Sequence, residues 1–135
     1  MKKLVLIFVL ALFIKLSAQE YAVVSGKDID SISLGQIKAI FLKKNSYLGD
    51  YKVIPLNLAS RNQIRTSFEK KVLKMSFAKL KSYWTKQHYL GHRPPITMKS
   101  QKSIQAFLHK VEYSIGYIKI ESVDKNLNIL YKWSD

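Results

Sequence analysis

The chain has 135 residues, with 23 Lys+Arg against 9 Asp+Glu, a formal net charge of +14 and no cysteine. Without thiols there are no cysteine-based zinc sites, iron–sulfur clusters or thiol nucleophiles. The basic balance favours anionic partners (phosphate-like solutes, nucleic acid or an anionic membrane face), and lysines that merely solvate the surface give the same numbers.

The first residues carry the three parts of an export signal. Lys2 and Lys3 precede an unbroken apolar run, Leu4 to Ile14, and the small residues of Leu16-Ser17-Ala18 follow. The run is too short to cross a bilayer, which takes about 20 apolar residues. Cleavage is expected after Ala18, with an uncleaved anchor as the alternative. Residues 1–18 thus read as a signal peptide. Residues 19–135 read as one α/β domain, exported to a periplasm, with no transmembrane segment after cleavage.

Tyr21-Ala-Val-Val-Ser25 is a β-prone run ended by Gly26-Lys-Asp28, which predicts a strand and a turn. Ser33-Leu-Gly-Gln36 has the form of a capping box, opening a helix with Ile37, Ile40 and Phe41 on one stripe and ending near Lys43-Lys44-Asn45. Asn45 to Tyr51 reads as a loop. Val53-Ile-Pro-Leu-Asn57 is a second strand, and its proline suggests an edge or a strand end. Ser60-Arg-Asn-Gln63 predicts a second capping box, followed at helical spacing by Ile64, Phe68, Val72 and Met75. Ser76 restarts a helix whose stripe of Phe77, Leu80 and Trp84 is expected in the core, running to about His88. Gly91 to Pro95 breaks the chain. Ser103 to Val111 is a further amphipathic helix, Ile115 to Ile120 a strand, and Leu127 to Trp133 a last strand. Strands alternating with helices argue for a layered α/β domain.

Few residues suggest chemistry. The amino end of the helix after Ser60 offers unpaired amides and the positive end of a dipole, with Arg61, Asn62 and Arg65 beside it. An arginine grips an oxyanion through two parallel hydrogen bonds. The alternative is that Ser60 and Gln63 only cap the helix while both arginines face solvent. His88, His92 and Arg93 cluster near Gly91 without a nearby carboxylate, so no metal site is expected. No Ser-His-acid or nucleophile-elbow pattern is present, so neither catalysis nor a cofactor is expected. Lysines interleave with aromatics in Lys79 to Trp84 and Tyr131 to Trp133, but core packing explains those aromatics better than base stacking, and nucleic acid is not an expected partner.

Several phrases, in order, are similar to one family. They are Ser33-Leu-Gly-Gln-Ile-Lys-Ala-Ile-Phe-Leu-Lys43, Val53 to Asn57, Phe68 to Leu73, Tyr83-Trp84, Gly91 with Pro94-Pro95, and Ser114-Ile-Gly-Tyr-Ile118. Over residues 21–123 the chain resembles the second lobe of the phosphate-type periplasmic substrate-binding proteins of type 2 fold, especially their short single-lobe members. The resemblance implies a single lobe with layered helices on a small mixed sheet. It also implies a non-enzymatic solute-binding role for phosphate or a similar oxyanion, associated with an ABC transport system. The site it suggests joins Ser60, Arg61, Asn62 and Arg65 to the turn at Ser114 and Gly116. Where phosphate-binding members carry Ser-Gly-Thr, this chain has Asn62-Gln63-Ile64. The other reading is a scaffold module without ligand binding, paired with a protein partner or a second copy that supplies the missing lobe. Attachment to anionic lipid by charge alone is a third reading.

Overall fold

A computed structural model describes residues 18–135. The signal peptide expected at residues 1–18 lies outside these, apart from Ala18. In chain order the elements are β1 (Glu20–Ser25), α1 (Leu34–Phe41), β2 (Tyr47–Leu48), β3 (Tyr51–Lys52), β4 (Ile54–Leu58), α2 (Gln63–Lys71), α3 (Phe77–Tyr89), β5 (Ile96–Met98), α4 (Gln101–Lys110), β6 (Ser114–Lys119), a 3₁₀ turn (Ile120–Ser122) and β7 (Asn128–Ser134).

Five strands form one sheet in the order β5-β4-β6-β1-β7, and β2 and β3 form a small separate hairpin. β4 pairs parallel with both β5 and β6, whereas β1 pairs antiparallel with β6 and β7. The sheet is therefore mixed, and helices cover it on both sides. Successive residues of β6 point to opposite faces. Gly116 faces Ile104 of α4, and Tyr117 faces Phe41 of α1 and Phe68 of α2. Burial on two sides explains why Tyr21 to Ser25 and Ser114 to Ile118 read as near-continuous apolar runs.

The helix start expected at Ser33 is present in full. Ser33 Oγ accepts from Gln36 N at 3.1 Å, and Ser33 N donates to Gln36 Oε1 at 2.8 Å. Ile37, Ile40 and Phe41 are the buried stripe of α1. The aromatic heart of the core follows. The Phe68 ring stacks on Tyr117 at 4.1 Å and meets Phe41 edge-on at 4.7 Å, with Trp133 5.7 Å away. Such pairs add to plain burial because ring edges and faces carry opposite partial charge.

Four expectations change. β4 is an interior strand, so of the two expectations for its proline the edge fails and the strand end holds, Pro55 being its second residue. Its proline fits because Ile54 N donates to Tyr113 on the β6 side, so the missing N–H of Pro55 faces the other flank, where pairing with β5 begins only at Leu56. The segment Asn45 to Tyr51 is not wholly a loop, since it contributes β2 and starts β3. The short edge strand β5 follows the break at Pro95 and was not anticipated. Finally, Phe77 is 74% exposed and Trp84 only half-buried, so Leu80 alone is the buried residue of α3. Ser76 does cap that helix, accepting from Lys79 N at 3.2 Å.

Candidate functional site

β4 ends at Leu58, and the chain turns through Ala59 to Arg61 with Asn62 N donating to the Ala59 carbonyl at 2.9 Å. Asn62 is extended and caps α2, its Oδ1 accepting from Ile64 N at 2.8 Å. The box expected between Ser60 and Gln63 does not form, because Ser60 belongs to the turn and helical backbone starts only at Gln63. A short amide side chain at the cap itself reaches the second helical amide, which a serine two residues earlier cannot do. Among the described residues, no protein acceptor satisfies the first helical amide, Gln63 N.

A second helix begins close by. Ser100 caps α4, accepting from Ser103 N, and Gln101 Oε1 accepts from Lys119 N at 2.8 Å, which ties the start of α4 to the end of β6. Asn62, Gln63, Gln101 and Lys119 line one open cleft of about 420 Å³, together with Tyr21 and Asp135. The cleft thus lies where two helix starts meet the carboxyl ends of the parallel pair β4 and β6. That is the end of an open α/β sheet where helix dipoles present their positive poles.

One carboxylate shares the cleft. Asp135 Oδ1 accepts from Ser67 Oγ, and Oδ2 accepts from Tyr21 OH at 2.7 Å. Ser67 in turn accepts from Trp133 Nε1 at 2.9 Å. The Ser67 bond, followed by the Tyr21 bond, holds the Asp135 carboxyl below its ordinary value. Burial first and the Asp135 bond second push the Tyr21 phenol up to about 12.

The six residues singled out from sequence do not converge. Asn62 lines the cleft. Ser60 lines a different hollow, beside Lys70, Lys74 and Phe77, and Arg61 is exposed on the turn. Arg65 is committed elsewhere: its Nη1 donates to the Leu58 carbonyl at 2.9 Å and its Nε to Glu69 Oε2 at 3.3 Å, so it locks α2 to β4. Ser114 is fully buried and pairs with Ile54, at the opposite end of β4 from Asn62, with its Oγ donating to Val111. Gly116 is buried under α4, where a Cβ would stand 2.6 Å from Ile104 Cγ2. Its close approach is to a helix, not to a ligand.

Gln101, Lys119, Tyr21 and Asp135 were not legible as site residues, because only the strand order brings these distant positions together. His109 pairs with Asp124 at 2.9 Å. Among the described residues no group of three or more His, Asp or Glu could hold a metal ion, and no helix is long and apolar enough to cross a membrane.

No protein-family model and no curated protein matches the chain. Solved structures do. One, from Clostridium perfringens, is described as a phosphate ABC transporter substrate-binding protein with bound phosphate. It superposes with a TM-score of 0.69 at 16% identity, over 87% of this chain and 46% of that one. An ABC-type phosphate transport receptor from Vibrio cholerae gives 0.66 at 15% identity, covering 84% and 46%. PstS from Borrelia burgdorferi gives 0.60 at 18%, covering 84% and 47%. The chain spans about half the length of these proteins. It has the fold of a single lobe of a phosphate-binding-protein-like molecule, a mixed α/β sheet with helices on both faces.

Proposed function

We propose that this chain is an exported, non-enzymatic oxyanion-binding lobe that takes phosphate at the cleft between the starts of α2 and α4. The observation that carries the reading is that Asn62, Gln63, Gln101 and Lys119 line one open cleft, and that among the described residues no protein acceptor takes the Gln63 amide. Backbone donors at a helix start attract anions without further help, and a lysine adds a full charge. The likeness in fold to proteins described as phosphate receptors supports the same ligand class. Residues 1–18 as an export signal, a periplasmic location and service to an ABC transport system belong to this proposal.

Asp135 shapes the selectivity. An oxyanion in the cleft meets a carboxylate held ionised by two hydroxyls, so an anion that keeps a proton at neutral pH binds better than one that does not. Phosphate keeps one near neutrality and sulfate does not, and the shared proton turns repulsion into a hydrogen bond.

The test is thermal unfolding of the purified protein against phosphate, sulfate and chloride at matched ionic strength, with amide NMR alongside. A native-state ligand at a hundredfold excess over Kd stabilises by about 2.7 kcal/mol. Phosphate is expected to raise Tm selectively and to shift the amides of Gln63 to Arg65 and Lys119. Equal responses to the three anions, or silent amides there at millimolar phosphate, would overturn the reading.

A second reading, a module completed by a protein partner or a second copy, is favoured by the half-length match and by the exposure of Phe77 (74%), Tyr89 (87%) and Leu90 (61%). Sedimentation equilibrium separates the two. A concentration-dependent dimer without a phosphate response supports the module.

A further inference from the structure

A cluster of positive charge lies away from the cleft. Three separate segments deliver it to one groove of about 540 Å³: Lys43 and Lys44 after α1, Lys52 on β3, and Arg93 after α3, with His92 also in the lining. No Asp or Glu lines this groove, and none stands within salt-bridge distance of these four Lys and Arg residues among the described residues. Lys52 precedes β4 while Asn62 follows it, so groove and cleft are separated by the length of that strand, about 3.3 Å per residue.

The groove is built on fixed backbone. Lys43 sits in the left-handed region (φ 59°), and the amides of Lys43 and Lys44 close the end of α1 on the Ile40 and Ala39 carbonyls. Gly91 (φ 82°) ends α3 in the same manner, with its amide on His88 and that of His92 on Gln87. Tyr83 OH donates to the Leu42 carbonyl, joining the two helices, and Lys44 Nζ lies 6.0 Å over the Tyr83 ring. Ser46 accepts from Val53 N at 2.8 Å, which pins the hairpin bearing Lys52.

A helix carboxyl end attracts cations, and that explains Lys43 and Lys44. It does not explain Lys52 and Arg93, which come from a strand and a loop and add repulsion to the same space. Burial, and then the neighbouring Lys52 charge, lower the Lys43 ammonium from its ordinary value. Cations crowded without a counter-charge are relieved by an anion among them.

We propose that this groove is a second anion site, taking a soluble ligand with two or more linked phosphate groups. The four Lys and Arg residues around this groove carry more charge than a single phosphate offsets, whereas a short phosphate chain matches it. Arg93 offers a planar fork for one group, and the lysines serve as point charges for the others.

The experiment titrates the purified protein with tripolyphosphate and, separately, orthophosphate at physiological salt, by calorimetry and amide NMR. Tripolyphosphate is expected to shift the amides of Lys43 to Ser46 and Gly91 to Arg93. Lys52→Gln with Arg93→Gln, both exposed, is expected to weaken it at least about tenfold, since one charge-assisted hydrogen bond is worth that much. Lys79→Gln with Lys81→Gln, exposed on α3, removes equal charge and should change it less than about twofold. Equal losses in the two double variants would reduce the effect to net charge and overturn the proposal. So would binding to phosphatidylglycerol vesicles without any response to tripolyphosphate. Groove shifts with tripolyphosphate beside a silent cleft with orthophosphate would sustain this site and overturn the proposed function alone.

Discussion

The two ends of β4 differ in what they offer an anion. Beyond its carboxyl end, the cleft is lined by Asn62, Gln63, Gln101, one lysine and one carboxylate, and among the described residues no protein acceptor takes the Gln63 amide. Beside its amino end, the groove offers cationic side chains with no carboxylate among its lining residues. The first is a short-range hydrogen-bonding site with little net charge, and the second is a Coulombic one. Backbone donors discriminate by geometry and proton inventory, while clustered lysines discriminate by ligand charge and are screened by salt. The two proposals thus assign one lobe a selective site and a charge-reading site at opposite ends of one strand.

The scaffold shared by both ends breaks most easily at its aromatic heart. Phe68→Ala is expected to cost about 3–5 kcal/mol in chemical denaturation and to weaken both ends together. A loss under about 1 kcal/mol would mean that the Phe41–Phe68–Tyr117 cluster is not the core it is described as. Gly116→Val comes next, at about 1–3 kcal/mol, because the added carbon collides with Ile104 and overpacks the seat of α4. Gln101 rides on that helix, so phosphate affinity should fall at the cleft while tripolyphosphate still shifts the groove amides.

Asn62→Ala sharpens the contrast. It removes the cap of α2 at a cost of about 1 kcal/mol and should lower phosphate affinity without touching the groove. The smallest effect is one of pH. The folded Asp135 carboxyl sits below its ordinary 3.8, so its stabilising contribution is full above that value and drains as pH falls through the folded one. Asp135→Asn should flatten that acid loss in Tm against pH. It should also bring the Tyr21 phenol down from about 12, though not to 10.0, because burial is the larger cause and remains. The Tyr21 ring chemical shifts followed against pH by NMR read that shift apart from the other seven tyrosines.

Local chemistry made much of the fold legible. Ser33 and Gln36 lie within one helical turn of each other, so their capping box is a property of four consecutive residues. The same holds for the apolar run of β1 and for the stripe Ile37, Ile40, Phe41. The pattern misled where two local solutions competed. Ser60 and Asn62 can each cap a helix, and the turn closed by Asn62 N on Ala59 decided for Asn62. The site was legible only at Asn62. Arg65 looked free because a sequence does not reveal that the Leu58 carbonyl and Glu69 consume its donors.

By itself, the sequence determined the helices and most strands, the basic charge and the absence of thiol chemistry, since all of these depend on composition or on neighbours a few residues apart. Tertiary structure alone decided that Pro55 sits in an interior strand, that Phe77 faces solvent, and that Gly116 makes room for α4. It alone gathered Asn62, Gln101, Lys119 and Asp135 at one end of β4 and Lys43, Lys52 and Arg93 at the other. These groupings depend on strand order and register, and contacts between distant positions are set by how the sheet is assembled rather than by any local pattern.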